Sequence, residues 1–193
     1  MSDLDLRRAL FQAMADTAYE RRCGDCTLCC KLLPVRELDK AAGEVCQHQR
    51  SRKGCTVYKQ RAQPMTCRIW SCMWLRNDDA EDLARPDRSH YVIDPSPDYI
   101  ELLNHEDGKV MRVDVVQIWV DPKHPNAHRD PALRAWIDRR AKRLGHAALV
   151  RFDSRRSLHL FPPSMSADGR WHERQGTAIE REHTIEQIMG DTP

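Results

Sequence analysis

The pattern of apolar and polar positions divides the chain into four parts. Over residues 4–20 apolar side chains recur at helical spacing, so we predict an N-terminal helix within residues 1–22. In residues 23–76 the apolar positions follow neither the helical nor the strand period over more than a short stretch. Such a pattern is typical of a small module whose fold depends on bound metal. Residues 87–163 carry short β-branched runs that predict strands, and residues 164–193 form a polar tail.

The part after residue 87 predicts strands around one long helix. Residues 131–144 carry an apolar stripe, with Asp130 placed as the N-cap and Gly145 as the terminator. The predicted strands are 90–94 and 99–104, paired as a hairpin about the turn 95–98, followed by 110–120, 147–153 and 158–161. A short helix is also predicted over 183–189. The predicted fold class is therefore α+β, with a cysteine-rich metal-stapled module packed on a small unit of helix and antiparallel sheet.

Inside the module, local patterns predict two short structures and a cap. Residues 37–44 favour a short helix that ends at Gly43, and residues 47–54 favour a polar connection that ends in a turn. A group of apolar and aromatic side chains is placed to exclude water from a bound cluster; it consists of Ile69, Trp70, Met73, Trp74 and Leu75.

Charge and length narrow the function only a little. The 193 residues suit one domain or two small joined units, and the net charge is +2 with both signs interspersed. The cationic side chains around the long helix are expected to form a solvated face; they are Arg134, Arg139, Arg140, Lys142, Arg143, Arg151, Arg155 and Arg156. The expected partners are metal ions, with a partner protein as a further candidate; nucleic acid is disfavoured and a membrane is not expected.

The compartment bears on the chemistry of the cysteines. Residues 1–8 contain no uninterrupted apolar segment typical of a secretory signal, and no stretch approaches the roughly 18 apolar residues of a membrane-spanning helix. We therefore expect a cytoplasmic protein, in which thiols stay reduced and a disulfide framework is disfavoured.

All eight cysteines lie between residues 23 and 72, and this crowding requires a chemical reason. They are Cys23, Cys26, Cys29, Cys30, Cys46, Cys55, Cys67 and Cys72. A disulfide framework, a redox thiol pair and metal ligation are the three available reasons, and a reducing compartment favours metal ligation. Zinc and iron–sulfur clusters both accept four thiolates, so the sequence leaves the metal open.

The spacing at the start of the module allows several arrangements. Cys23, Cys26 and Cys29 are each three residues apart, as in ferredoxins, where a further cysteine completes a four-iron cluster. Cys30, directly after Cys29, indicates two metals, a bridging thiolate, or a ligand beside a redox-active thiol. Three arrangements therefore stay open. One is a four-iron cluster with the other four thiols on zinc or free, the second is two four-cysteine zinc sites, and the third is one polynuclear zinc cluster.

Residues other than cysteine offer weaker candidates. Asp25 is expected to solvate a turn, and Arg68, directly after Cys67, is placed to donate to a thiolate sulfur. His48 is the histidine to test as a ligand. His124 and His128 are four residues apart, but the proline between them favours an exposed loop over a metal site.

The ordered cysteine pattern resembles that of a known family. The matching residues are Cys23, Cys26, Cys29, Cys30, Cys46, Cys55-Thr56-Val57-Tyr58, Arg61, Pro64-Met65-Thr66-Cys67-Arg68 and Cys72-Met73-Trp74-Leu75. Over about residues 20–76 the chain is similar to the YkgJ-type cysteine-cluster proteins, bacterial proteins with a zinc- or iron-chelating CxxCxxCC domain. The resemblance implies metal binding at all eight cysteines. It also implies an iron–sulfur oxidoreductase-like role, or cluster-assisted methyl transfer as in flagellin lysine N-methylases, whose cysteine domain is similar.

Two functions follow as expectations. In the first, the protein carries an iron–sulfur cluster on Cys23, Cys26 and Cys29, with Cys30 beside them, and assists redox or group-transfer chemistry. In the second, the metal is structural zinc, and the α+β unit binds a protein or nucleic acid. Outside the cysteines, no residue spacing dictates a reaction, so the sequence assigns no catalytic residue.

Overall fold

The computed structural model describes residues 21–76, 79–103 and 107–177. The helices predicted over 4–20 and 183–189 lie outside these residues. No helix in the described ranges combines the length and the apolar character needed to cross a membrane.

The first described part, residues 21–76, consists of very short elements joined by turns. They are α1 (Leu28–Leu32), a 3₁₀ turn (Arg36–Leu38), β1 (Gln49–Arg50), β2 (Gly54–Cys55), α2 (Met65–Ile69) and α3 (Met73–Arg76). The helix predicted over 37–44 was wrong, because the chain turns back after Leu38 and Val35 pairs with Lys40 as an isolated bridge. Elements of two to five residues gain little from their own hydrogen bonds, so this part depends on what it packs against.

The rest of the described chain forms a five-stranded sheet with one long helix, so the α+β class is confirmed. Its elements are α4 (Pro86–Ser89), β3 (Tyr91–Leu103), β4 (Val110–Val120), α5 (Pro131–Leu144), β5 (Ala147–Arg151), β6 (Arg156–Phe161) and β7 (His172–Thr177). The strand order is β3-β4-β5-β6-β7, and every pair is antiparallel except β4 and β5. Strands β4 and β5 are parallel because helix α5 crosses over between them and returns the chain to the end of the sheet at which β4 begins.

The hairpin predicted about residues 95–98 was wrong, because β3 runs through this segment as one strand. The register with β4 passes from Asp94 opposite Gln117 to Asp98 opposite Val115, so β3 carries two extra residues at this point. Proline has no amide hydrogen for a strand ladder, and the two prolines of the segment lie where the ladder is interrupted. The Asp94 carboxylate accepts a hydrogen bond from the Ser96 amide at 2.9 Å and stabilises the bulge.

Helix α5 is confirmed with the predicted limits. The Asp130 carboxylate accepts from the Ala132 amide at 3.0 Å, and Gly145 ends the helix with a φ of +69°. Leu133, Trp136 and Ile137 are fully buried against one face of the sheet. Leu144, predicted on the same face, is 46% exposed because it lies in the last turn of the helix.

The opposite face of the sheet carries the cysteine module. Side chains alternate along a strand, so Val92 and Trp119 point away from the α5 face, which Ile93 and Ile118 share. Val92 and Trp119 form an apolar cluster with buried module residues; these include Cys26, Leu28, Leu32, Cys72 and Leu75. The Lys31 ammonium and the Asp121 carboxylate form an ion pair at 2.6 Å across the same junction.

Candidate metal centre

All eight cysteines lie in the described residues, and every one is a free thiol. The residues that surround the cysteines divide them into two groups of four. The sheet-side set comprises Cys23, Cys26, Cys29 and Cys72, and the hairpin set comprises Cys30, Cys46, Cys55 and Cys67.

The sheet-side set lines one small apolar cavity. Its four cysteines share the lining with Trp74, Leu75 and Pro86. The Cys26 amide donates to the Cys23 carbonyl at 3.1 Å, and Gly24 between them has a φ of +57°, so the chain turns tightly between these two cysteines. The third and fourth members come from elsewhere, since Cys29 lies in α1 and Cys72 directly precedes α3. The predicted aromatic cap thus contributes Trp74 and Leu75 to this cavity.

The hairpin set is assembled by backbone hydrogen bonds around β1 and β2. The Cys46 amide donates to the Cys30 carbonyl at 3.0 Å, and the Gln49 amide donates to the Cys46 carbonyl at 3.0 Å. Gln49 is the partner of Cys55 across the two strands, which brings Cys46 and Cys55 to the same part of the hairpin.

Cys67 joins the hairpin set through α2. The Glu37 carboxylate accepts from the Met65 amide at 2.7 Å and from the Thr66 amide at 2.9 Å, which fixes the first turn of this helix. The Gln63 side-chain amide donates to the Cys67 carbonyl at 2.8 Å. The position of Cys67 therefore depends on the Glu37 carboxylate, which lies 30 residues earlier in the chain.

The electrostatics of the thiols follow this division at Cys72 and Cys67 but cross it elsewhere, since Cys23 contributes to the raised pKa of Cys55, whose largest cause is burial. Burial raises the pKa of Cys72 to about 12, and the neighbouring Cys23 and Cys26 add to the effect. Burial likewise raises the pKa of Cys67 to about 12, but there the added charges are those of Cys30, Cys46 and Cys55. Metal binding must displace these protons, so uptake of a metal at neutral pH releases protons from both sets.

Cys29 and Cys30 connect the two sets. The Cys29 thiol is hydrogen-bonded to Cys23 and to Cys30; these bonds raise the pKa of Cys29 and lower those of its two partners. The hydrogen bond from Cys29 is the largest cause that brings the pKa of Cys30 down to about 7, and the Lys40 ammonium assists it against burial. Lys40 is itself buried, with its Nζ donating to the carbonyls of Leu33 and Ala41.

Both sets offer the thiol ligands that a thiophilic metal prefers, but in neither set do the sulfurs converge on one metal position. Across the described ranges, no three His, Cys, Asp or Glu side chains stand where they could hold a metal ion together. Four thiolates are the ligand set of structural zinc and of a four-iron cluster. Since zinc–sulfur bonds are about 2.3 Å long, binding has to draw the sulfurs of a set inward.

The weaker sequence candidates lie outside the two sets. Asp25 forms an ion pair with Arg85 at 2.8 Å, so it anchors the turn between Cys23 and Cys26. The described residues show no hydrogen bond from the Arg68 guanidinium to a cysteine sulfur, and His48 contributes its backbone carbonyl to the hairpin by accepting from the Thr56 amide at 2.9 Å. Neither therefore acts on a thiol directly in this structure.

His124 and His128 do not form a site together. The His128 ring is buried and hydrogen-bonded to the Pro125 carbonyl at 2.8 Å, whereas His124 is exposed and stacks on His90 with ring centroids 3.5 Å apart. The expectation that these two histidines belong to a loop is confirmed for His124, while His128 is a buried residue within a 3₁₀ turn.

Sequence reasoning missed two cations that face the thiols. The Arg85 guanidinium lowers the pKa of Cys23, although the hydrogen bond from Cys29 is the larger cause. The Lys40 ammonium likewise lowers the pKa of Cys30, and there too the hydrogen bond from Cys29 is the larger cause. A cation close to each set favours the deprotonated form that a metal requires. The local sequence held no signal for either contact, because both depend on how the chain folds back.

Gly54 lets the two parts of the module approach each other. It has a φ of +79°, and a Cβ atom there would collide with the Gly24 carbonyl oxygen. Gly24 belongs to the turn of the sheet-side set and Gly54 to the strand that carries Cys55, so a backbone contact joins the two sets at this point.

We expect Gly54→Ala to destabilise the protein by at least about 3 kcal/mol, because the strained φ and the backbone collision add. Gly43→Ala is the matched control, since Gly43 has a φ of +82° but nothing within 4 Å of an added Cβ. The control should lose only about 1–2 kcal/mol. Guanidinium titration of both variants measures the difference, and equal losses would show that the contact with Gly24 is unimportant.

Compared with models of protein families, with curated proteins and with solved structures, the chain matches none of them.

Proposed function

We propose that this is a cytoplasmic metal protein that carries an iron–sulfur cluster and assists redox or group-transfer chemistry. The observation that carries the proposal is the apolar cavity lined by the four thiols of the sheet-side set. The similarity of the cysteine pattern to the YkgJ-type proteins supports the same conclusion.

The surroundings of the sheet-side set suit a cluster better than an open catalytic metal. Trp74, Leu75 and Pro86 are the other residues that line the cavity, so apolar groups surround the sulfurs and exclude water. Solvent exclusion and nearby charges are the means by which a protein tunes a cluster's potential. When bound, a cluster would supply one-electron chemistry; the protein's part is to bind it and to exclude water.

A structural zinc protein is the second candidate function, and a specific observation favours it. The described elements between residues 28 and 76 have at most five residues each, so the module lacks a framework of its own. A metal would then act as a staple. In that case the partner-binding surface would lie on the α+β unit.

The charges of α5 bear on which partner that surface would take. Several of its cations are already paired with carboxylates, namely Arg139 with Asp82, Arg143 with Asp79 and Lys142 with Asp138. A surface whose cations are neutralised in this way is poorly suited to nucleic acid, so a partner protein is the better candidate.

The experiment that decides between the two functions is a measurement of metal and acid-labile sulfide per chain on anaerobically purified protein. We expect about four irons with matching sulfide, and absorbance near 400 nm. Zinc without sulfide or colour would establish the structural alternative. A preparation that retains no metal, and that takes up neither zinc nor reconstituted iron and sulfide, would contradict both.

A further inference from the structure

We infer that the eight cysteines form two separate four-thiolate centres, one on the sheet-side set and one on the hairpin set, held side by side by the adjacent Cys29 and Cys30. Each centre accepts a thiophilic metal group with four thiolate ligands, either a zinc ion or a four-iron cluster. The inference rests on the proposed metal binding and assigns the cysteines to their centres.

The sheet-side set is separate from the hairpin set. Its four cysteines line the apolar cavity, and no member of the hairpin set does. The same four belong to the apolar cluster around Val92 and Trp119, with Cys26 and Cys72 buried in it and Cys23 and Cys29 packed against it. The cavity and the cluster of side chains thus select the same four cysteines from the eight.

The hairpin set is held together by its own backbone contacts. The hydrogen bond from the Cys46 amide to the Cys30 carbonyl and the pairing of Gln49 with Cys55 place three of its members together. The fourth, Cys67, lies in α2, which Glu37 ties to the segment that directly follows α1. These ties are independent of the apolar cavity, so the second set is built by a different part of the fold.

Cys29 and Cys30 belong to different sets although they are adjacent in the chain. Both lie in α1, where successive side chains diverge by about 100° around the helix axis. Cys29 lines the cavity of the sheet-side set and Cys30 does not, whereas the Cys30 carbonyl accepts a hydrogen bond from the Cys46 amide of the hairpin set. Since adjacent Cα atoms are about 3.8 Å apart, the two centres must be close neighbours.

Among the arrangements that the sequence leaves open, two separate centres disfavour the polynuclear cluster and the single centre with four free thiols. One polynuclear cluster would require the sulfurs of both sets around a common cavity, whereas the cavity is lined by one set only. A single centre with four free thiols would leave the hairpin set without a reason for its convergence. Two neighbouring centres account for both sets and for the cysteine doublet.

The test compares Cys72→Ala with Cys67→Ala, which remove the last cysteine of each set and leave the doublet intact. Alanine is chosen because serine can still offer an oxygen ligand. We expect each variant to lose the metal group of its own centre and to keep that of the other centre, and the double variant to keep almost none. Elemental analysis, with acid-labile sulfide, shows which metal group each variant has lost.

Other distributions of metal would overturn the inference. If either single variant loses all of the metal, the eight thiols share one cluster. If one variant keeps all of it, one set is not a metal site. A metal-free wild-type protein would instead contradict the proposed function, so the two failures can be told apart.

A second measurement uses the unmodified protein, in case the variants do not fold. The holoprotein is titrated with a chelator, the exposed thiols are alkylated, and the labelled cysteines are identified by mass spectrometry. We expect partial metal loss to expose one complete set of four while the other stays protected. Labelling that is spread evenly over all eight cysteines would contradict two separate centres.

Discussion

Stripping the metal with a strong chelator under reducing conditions is expected to unfold residues 21–76 while the sheet and α5 persist. The module consists of helices of four or five residues and strands of two, and such elements are not stable by themselves. Metal binding contributes roughly 10–16 kcal/mol in small zinc modules, more than a segment of this kind can replace. The α5 side of the sheet has its own core, which includes Ile118, Trp136 and Leu160.

Hydrogen exchange followed by mass spectrometry measures this difference segment by segment. On metal removal we expect amides around α1 and the β1–β2 hairpin to exchange on the order of 100-fold faster. Amides of β5 and α5 should change little and serve as the internal control. Exchange that stays slow throughout the module after complete metal removal would mean that its packing on Val92 and Trp119 is sufficient to hold it.

The sequence predicted most clearly the elements whose signals are local. The helix at residues 131–144 is marked by the Asp130 cap, Pro131 and Gly145, and all of these act within one or two turns. The strand Val110–Val120 is equally local, since its β-branched residues suit a pleated, buried surface. In contrast, the strand His172–Thr177 has a polar sequence and is stabilised by pairing with β6. Its own residues therefore do not predict a strand.

The candidate site was predictable in its residues but not in its arrangement. The crowding of the cysteines identified all eight candidate metal ligands, because the residue type alone indicates thiolate chemistry. Their division into two sets depends on Cys72 lying near Cys23 and Cys26, and on Cys67 lying near Cys46. The first approach spans almost 50 residues of the chain and the second about 20. The hydrophobic periodicity of the sequence carries no information on such long-range approaches. The hairpin wrongly predicted at residues 95–98 has the same origin, since a proline pair fits both a turn and a bulge.

Replacing Trp119 with alanine is expected to release the module from the sheet, at a cost of about 3–5 kcal/mol in the free energy of unfolding. Trp119 is 6% exposed and forms the sheet side of the cluster that contains Cys26, Leu32 and Leu75. Its loss leaves a cavity between the two halves and removes the surface on which the sheet-side set is built. The chelator should then extract the metal faster than from the wild type.

Trp136→Ala is the matched comparison, because Trp136 is the corresponding buried tryptophan on the other face of the sheet. It should lower the free energy of unfolding by a similar amount of about 3–5 kcal/mol. However, Trp136 does not line the cavity of the sheet-side set, so metal extraction under native conditions should stay close to the wild-type rate.

The rate of metal release to a chelator, followed by the absorbance of the chelate well below the unfolding midpoint of each variant, separates the two substitutions. A faster release from Trp119→Ala alone would mean that docking on the sheet keeps the module closed around its metal. If both variants released metal equally fast, global unfolding would control the release, and the junction at Val92 and Trp119 would be ordinary core. Trp119→Phe retains most of the apolar contact and should fall between Trp119→Ala and the wild type, since the effect depends on the volume that fills the junction.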